Sequence, residues 1–496
     1  MARESVVRVD AGAISGASAA REGDSYKWWA LSCTSLGTLL ATLNSGTLII
    51  ALPVLLRELH TDLLTLVWVL LSYMLVQTVV VLTAGRLADM FGRKNLYVLG
   101  AALFGVSALV AGFAQTGGEL VAIRVVQGAA GAFMMANSSA IVTDAFPKRQ
   151  LGLALGTNMI VAAVGSIVGT ILGGWLTIFG WQWVFWFNVP FALVGTIWAW
   201  VNLRERVALD RHQRFDIPGT LSYFVGITGL LIALTIGGIY GWTSQLVVSG
   251  FIVALIGLPL FFAIERRAPQ PLLDLSLFRD RLFLMGNLSA FLNSLARLAV
   301  TFLFVFYFQG PLRKDALTAG ILLAPIALGM LITSPISGWL SDRHGSRLLA
   351  SLGLVISAVG LAGMAVIGLD TPYWYIALVM LIMGGGSGLF NSPNTSAIMA
   401  SVRPGQRGIA AGTRTMLVNT GGVFSIAFAL AIVASTLPAS VMFQIFAGVT
   451  AGVPAHVLDN FMTGLHISFW VMAGVSVLAA VASALRGSAH PGGEVE

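Results

Sequence analysis

The chain has 496 residues, of which 57% are hydrophobic and only 10% are charged. An ordinary soluble domain has roughly 25% charged residues, so this composition excludes a water-soluble globular protein and indicates a chain surrounded by lipid. The net charge of +7 does not indicate nucleic-acid binding, because the lysines and arginines are spread over many connections instead of clustering in one segment.

Fourteen apolar segments are long enough to cross a bilayer, which takes about 20 mostly apolar residues in a helix. The 27 residues before them are polar and rich in small side chains, which predicts a disordered tail without a cleavable signal peptide. The predicted spans, numbered 1 to 14 in chain order, cover residues 29–53, 65–84, 95–115, 119–142, 152–178, 184–203, 217–239, 246–264, 283–309, 317–340, 348–369, 373–399, 408–436 and 463–485. The sequence therefore predicts an all-α polytopic membrane protein.

Positive charges lie mostly on one side of the predicted membrane. The N-terminal tail and the connections after even-numbered spans hold 22 of the 28 lysines and arginines, whereas the other connections hold three. Lys and Arg near span ends are retained in the cytoplasm, so both termini are predicted to be cytoplasmic. We call this end of the molecule the basic side and the other end the opposite side.

Two loops on the basic side repeat one pattern. Residues 85–94, after span 2, read GRLADMFGRK, and residues 338–347, after span 10, read GWLSDRHGSR. The glycine permits close helix contact, the aspartate can face a helix N-terminus, and the basic residues hold the loop at the membrane surface. The chain therefore contains an internal repeat, although either loop can also be read as a tight, positively charged turn.

The first loop resembles the signature loop between helices 2 and 3 of the major facilitator superfamily. Residues 124–128 of span 4, RVVQG, are similar to the family's arginine motif, and residues 181–190, WQWVFWFNVP, look like the start of helix 6 in its fourteen-helix drug/proton antiporter branch. Span 5 has glycines similar to the antiporter motif of that branch. These glycines are Gly165, Gly169, Gly173 and Gly174.

The resemblance implies a major facilitator fold, in which two six-helix bundles surround a cavity that opens alternately to each side, with two further helices inserted between the bundles. The first loop would latch a gate on the basic side, the second would be a weaker counterpart, and the glycines of span 5 would pack at the bundle interface or simply pack closely. The implied gate residues are Gly85, Asp89, Gly92 and Arg93, with Asp342 and Arg343 in the second loop. The implied segments are a tail 1–27, a first bundle 28–206, two inserted spans 207–267, a second bundle 268–486 and a tail 487–496.

Two positions depart from that branch. Its helix 1 usually has an acidic residue shortly before an Ala-Leu-Pro stretch, but here the residue at that distance from Ala51-Leu52-Pro53 is Asn44. Asparagine cannot take up and release a proton at physiological pH, so this position cannot carry proton coupling. In the antiporter motif a proline usually follows the second glycine, whereas here Thr170 follows Gly169.

The charged residues that lie away from the ends of the predicted spans are three arginines, and buried charges in a bilayer are costly and usually functional. Arg124 belongs to the span 4 motif and has Gln127 as a nearby polar partner. Arg297, near the middle of span 9, either contacts a substrate or coupling ion or binds backbone carbonyls. Arg414, near the basic end of span 13, either contacts substrate or extends its side chain to the membrane surface.

Two helix faces carry polar residues that either line a substrate pathway or join helices. In span 9, four-residue steps place Asn293, Arg297 and Thr301 on one face, with Asn287 and Ser294 close to it. In span 1, the polar arc consists of Thr34, Thr38, Thr42 and Ser45, with Asn44 beside it.

The sequence favours a secondary transporter that exports small amphipathic compounds, such as drugs or metabolites, with protons as possible coupling ions. The alternative is a transporter of organic anions or acidic lipids, which the three arginines and the missing helix 1 acid favour. Enzymatic activity, cofactors, metals and nucleic acid are not expected, since no motif for them is present. The expected setting is the bacterial inner membrane, among membrane lipids, with a monomer as the favoured state.

Overall fold

The computed structural model describes residues 11–147, 150–205, 216–268, 273–403, 407–447 and 455–487. Within these ranges every regular element is a helix, and fourteen helical segments are long and apolar enough to cross a membrane. The predicted fold class and number of spans are therefore confirmed. Helices are expected in a bilayer, because a helix forms its backbone hydrogen bonds internally where no water is present to form them.

The helices follow the predicted spans closely. Spans 1 to 6 are the helices Ala11–Glu58, Leu63–Phe91, Arg93–Ala111, Gly117–Ala145, Leu151–Leu176 and Asn188–Asn202, the last preceded by the single turn Trp183–Trp186. Spans 7 and 8 are Ile217–Tyr240 and Gln245–Glu265. Spans 9 to 14 are Arg281–Gln309, Ala324–His344 preceded by Ala316–Leu322, Ser346–Met364, Tyr373–Ala400, Arg407–Thr436 and Ala455–Leu485. Short 3₁₀ turns cover Thr177–Phe179 and Leu275–Arg279, and a separate helix covers Ala439–Phe446.

Two helices begin earlier than the hydropathy indicated. Span 1 starts at Ala11, inside the segment expected to be a disordered tail, and span 14 starts at Ala455, not near 463. Hydropathy detects only the part of a helix that lies in lipid. Polar residues such as Asp459 and Asn460 are exposed at the start of span 14, so the helix continues beyond the apolar segment that the sequence revealed.

The two six-helix halves use the same helix pairings. In the first half span 1 packs on spans 5 and 6, span 4 on spans 2 and 3, and span 3 on span 6. In the second half span 9 packs on spans 13 and 14, span 12 on spans 10 and 11, and span 11 on span 14. Each pairing in one half thus has its counterpart in the other, which extends the internal repeat from two loops to two whole bundles.

Span 7 lies against both bundles. It packs on span 8, on span 2 of the first bundle and on span 13 of the second. The Tyr223 hydroxyl lies 3.1 Å from the Thr420 hydroxyl of span 13, and its ring contacts Phe261 of span 8. The inserted pair of helices therefore covers the seam between spans 2 and 13.

The bundles meet at the opposite side. The Gln309 side-chain amide of span 9 donates a 3.0 Å hydrogen bond to the backbone carbonyl of Ile50 in span 1. Span 5 approaches span 10 so closely that a Cβ added to Gly174 would lie 2.4 Å from the Leu317 Cα. Such contacts leave no passage between these helix ends, so the structure is closed at the opposite side along both pairs of helices.

Candidate gate and substrate pathway

Each of the repeated loops turns at a glycine in the left-handed region. Gly92 has φ +98° between spans 2 and 3, and Gly345 has φ +80° between spans 10 and 11. A side chain is strained in this conformation, whereas glycine has no Cβ to clash. The second glycine of the motif is therefore required by the sharp turn between two antiparallel helices, at the same place in each bundle.

The first loop is tied to the rest of its bundle by charges. Arg93 forms an ion pair with Asp144 at the basic end of span 4, with 2.5 Å between Nη1 and Oδ2. The backbone amide of Lys94 donates to the carboxylate of Glu205, which follows span 6, over 3.1 Å. Span 3 is thus held to spans 4 and 6 on the basic side. Both contacts lie within the first bundle, so the gate role expected of Arg93 stays a prediction.

The second loop differs from the first. Arg343 stacks on Trp339 one turn earlier, with 4.0 Å between the guanidinium carbon and the ring centroid, and the side chain of Arg343 is exposed. The Asp89 and Asp342 side chains lie outside the part of the structure that is described. The expected gate role of these aspartates remains a prediction.

Gly85 does not make the close helix contact expected of it. A Cβ added there would meet nothing within 4 Å. Gly85 lies at the basic end of span 2 and has open space beside it.

Three of the four span 5 glycines pack within the first bundle and not at the bundle interface. An added Cβ on Gly165, Gly169 or Gly173 would meet span 1 at 3.0 Å or less. Gly174 alone among the four faces span 10, where the added atom would meet the Ala316 carbonyl at 2.4 Å. Glycines four residues apart lie on one face of a helix, so Gly165, Gly169 and Gly173 all face span 1. Gly174 is one residue further along the helix and therefore faces the other bundle.

Arg124 is fully buried among uncharged partners. Its Nε donates to the Val69 carbonyl of span 2 over 3.1 Å, and one Nη donates to the Gln127 side-chain carbonyl. The guanidinium also lies 4.1 Å from the centre of the Tyr73 ring. Its other Nη and the Gln127 side-chain nitrogen are buried without a hydrogen-bond partner. The predicted association of Arg124 with Gln127 is therefore observed, and it joins spans 2 and 4.

The polar arc of span 1 is divided between two surfaces. Thr38 and Ser45 are half-buried and donate only to carbonyls of their own helix, at 3.0 and 3.1 Å. Thr42 lies against Gly165 of span 5. Asn44 is 1% exposed, and neither atom of its amide has a hydrogen-bond partner. Thr38 and Ser45 are therefore available to line a substrate pathway, whereas Asn44 lies in the interior of the first bundle.

The polar face of span 9 is present as predicted, on one continuous helix. Arg297 is half-buried, with one Nη 3.9 Å from the Met330 sulfur of span 10 and its Nε without a partner. Asn293 is buried and Thr301 half-buried on the same face. The neighbouring residues have packing roles instead, since Ser294 donates to the Val418 carbonyl and Asn287 to a carbonyl of its own helix.

Arg414 lies near the basic end of span 13. It is half-buried, and its Nε has no hydrogen-bond partner. Gly412, half a turn earlier, faces Leu82 at the basic end of span 2. Arg414 is therefore shallower than Arg297, and its two predicted roles both remain open as predictions.

Sequence reasoning missed one contact between the bundles and one contact within the first bundle. Gln309 was within span 9 and carried no motif, and Glu205 followed span 6 as one acid among basic residues. The position of Gln309, a polar residue at the very end of an apolar span, was the only sequence signal that it makes a hydrogen bond there. Nothing in the sequence indicates that its partner is a backbone carbonyl of span 1.

Comparison with known proteins identifies the family. The model of the Major Facilitator Superfamily matches residues 34–426. The chain belongs to this superfamily. The riboflavin transporter RibZ of Clostridioides difficile is 28% identical over 456 residues, which are 92% of this chain and 96% of RibZ. The multidrug transporter MdtP of Bacillus subtilis is 32% identical over 362 residues, 72% of this chain and 66% of MdtP.

The fold agrees with solved structures of the superfamily. A bacterial homologue of the human lysosomal transporter Spinster, solved in an inward-facing and unoccupied conformation, matches with a TM-score of 0.64 at 16% identity. The match covers 93% of this chain and 97% of that one. The chain is therefore a membrane-spanning transporter of the Major Facilitator Superfamily, with multidrug transporters among its relatives.

Proposed function

We propose that the protein exports small amphipathic compounds by alternating access between its two bundles. Two bundles with matching helix pairings can rock about the contacts between them and expose a central pathway to either side. The relatives MdtP and RibZ, a multidrug and a riboflavin transporter by name, support a substrate that is partly apolar. The distribution of positive charge supports cytoplasmic termini in a bacterial plasma membrane.

Arg297 is the residue on which the proposal rests. A charged group in the middle of a membrane span is expensive, and such groups usually mark a substrate or ion pathway. No carboxylate among the described residues pairs with Arg297, and its recorded neighbour is the weak acceptor sulfur of Met330. Its guanidinium is therefore free to bind a polar or negative group of a substrate, with Asn293 and Thr301 on the same face as further hydrogen-bonding groups.

The second candidate function is transport of organic anions or acidic lipids. It is favoured by the same guanidinium and by Arg414, because fixed positive charge in a low-dielectric cavity attracts an anion and repels a cation. Asn44 adds to this argument, since the helix 1 position that usually bears an acid carries no negative charge here.

Transport is proposed to be secondary, driven by a gradient of an ion or of the substrate. The sequence contains no phosphate-binding loop. Because Asn44 cannot carry a proton, any proton coupling would have to use a carboxylate near a span end. Activity in proteoliposomes that is unaffected by an imposed pH gradient would exclude proton antiport and leave the alternating-access proposal intact.

The test compares two transported probes that share one fluorophore, one bearing a carboxylate and one a quaternary amine. Arg297→Ala should lower uptake of the carboxylate probe into proteoliposomes about tenfold or more, the effect of losing at least about 1.4 kcal/mol of binding. Arg297→Lys should retain part of the activity, because the charge remains. Arg57→Ala removes an exposed arginine at the opposite side and serves as the control.

The outcomes separate the two candidates. Loss for both probes supports an amphipathic exporter in which Arg297 binds a polar group, and loss for the carboxylate probe alone supports the organic-anion transporter. Wild-type transport by a correctly inserted Arg297→Ala variant would reject both, since each assigns this residue to the substrate.

A further inference from the structure

The interior of the first bundle contains three polar side chains with unpartnered nitrogen atoms. Arg124 and Gln127 are fully buried and Asn44 is 1% exposed. One Nη of Arg124, the side-chain nitrogen of Gln127 and both amide atoms of Asn44 lack hydrogen-bond partners. Buried donors are normally satisfied, so a group of them without acceptors indicates a bound partner.

The helix register places Asn44 on the surface of span 1 that faces span 4, near the depth of Gln127 and Arg124. A Cβ added to Gly37 in span 1 would lie 3.1 Å from the terminal methyl of Met134 in span 4. Asn44 is seven residues after Gly37 in span 1, and Gln127 is seven residues before Met134 in span 4. Seven residues make almost two helical turns, so Asn44 faces the same way as Gly37 and Gln127 the same way as Met134. Since spans 1 and 4 are antiparallel, both steps run about 10 Å in the same direction. Asn44 therefore lies at the depth of Gln127, and Arg124 follows one turn further along span 4.

The charge in this group is not balanced. Arginine is always protonated in proteins, and the recorded partners of Arg124 are a backbone carbonyl, an amide oxygen and a tyrosine ring. Among the described residues no carboxylate pairs with it. Buried cations are normally paired with an anion. In the fourteen-helix branch that this chain resembles, the acid usually found at the position of Asn44 would supply the negative charge.

We propose that a small inorganic anion, chloride in the cell, binds between Asn44, Gln127 and Arg124. It accepts hydrogen bonds from the Asn44 Nδ2, the Gln127 Nε2 and the free Arg124 Nη, and it balances the guanidinium charge. All three side chains are buried, which leaves no opening for a drug-sized molecule. The site stands apart from Arg297 in the other bundle, so it does not depend on the proposed substrate or transport direction.

The first experiment measures thermal unfolding of the purified full-length protein while chloride replaces gluconate at constant ionic strength. A ligand that binds only the folded state raises its stability as its concentration increases. The midpoint of the wild type should rise with chloride and then saturate. Asn44→Asp and Gln127→Glu each place a carboxylate beside Arg124, so each should abolish this chloride-dependent rise.

The matched control is Asn287→Asp, the same chemical change at a fully buried asparagine of the second bundle, and it should keep the wild-type response. Bromide soaked into crystals should give an anomalous diffraction peak between Asn44 and Arg124. Equal midpoints of the wild type in chloride and gluconate would overturn the proposal, as would a full chloride response in Asn44→Asp. A response to benzoate but not to chloride would also overturn it, by assigning the site to a substrate carboxylate.

Discussion

Gly174→Ala is expected to shift the equilibrium between the two access states. Gly174 is the residue of span 5 that faces the other bundle, and the alanine Cβ would lie 2.4 Å from both the Ala316 carbonyl oxygen and the Leu317 Cα. Both of these are backbone atoms, which cannot rotate away as the end of a side chain can. The structure closed at the opposite side must therefore open a gap between spans 5 and 10, whereas a structure open at that side has no such clash.

The size of the shift follows from the cost of overpacking. Inserting one carbon into a tightly packed contact typically costs about 1–3 kcal/mol. Applied to one of two states in equilibrium, that cost changes their ratio by about 5- to 150-fold. Alanine also favours the helix over glycine by about 1 kcal/mol, but this gain is the same in both states and does not alter their ratio.

The assay measures the distance between spin labels at Glu58 and Lys314, which are exposed at the opposite side on different bundles. The labels require Cys33, the only cysteine, to be replaced by alanine. Gly174→Ala should move the distance distribution towards longer values and slow transport. Gly156→Ala is the control, because it lies on the same helix and its added Cβ would meet nothing within 4 Å. Identical distributions for the two variants would refute the reasoning.

Two further predictions concern one contact between the bundles and one contact between span 7 and the second bundle. Gln309→Leu removes the hydrogen bond to the Ile50 carbonyl and should destabilise the closed state by about 0.5–1.5 kcal/mol; an unchanged distance distribution between the same two labels would contradict this. Tyr223→Phe removes the hydroxyl that contacts Thr420 and should lower the thermal unfolding midpoint while transport continues; loss of transport at an unchanged midpoint would show that the contact acts in the moving step.

The sequence predicted the spans well because the bilayer imposes a simple rule on them. Each crossing needs a continuous apolar helix of fixed minimum length, and this requirement can be read locally. The polar face of Asn293, Arg297 and Thr301 was predictable for the same reason, since it depends only on the periodicity of a helix. The association of Arg124 with Gln127 follows from a three-residue step within span 4.

The sequence could not predict which neighbour each helix face meets. Periodicity placed Asn44 beside the polar arc of span 1, but only the packing of span 1 on span 4 reveals that it lies inside the bundle. The glycines of span 5 illustrate the same limit, because Gly173 and Gly174 are adjacent in the chain and contact different bundles. Such contacts depend on the rotation of whole helices about their axes, which a single sequence does not encode locally.

The position of span 7 makes the two flanks of the molecule unequal towards the surrounding lipid. On one flank, spans 7 and 8 stand between the bilayer and the seam of spans 2 and 13. On the other flank, no described helix lies across the corresponding seam of spans 5 and 10. A compound dissolved in the membrane therefore meets two additional helices on one flank and the uncovered junction of spans 5 and 10 on the other. The two inserted helices thus make the two flanks of an otherwise pseudosymmetric transporter different.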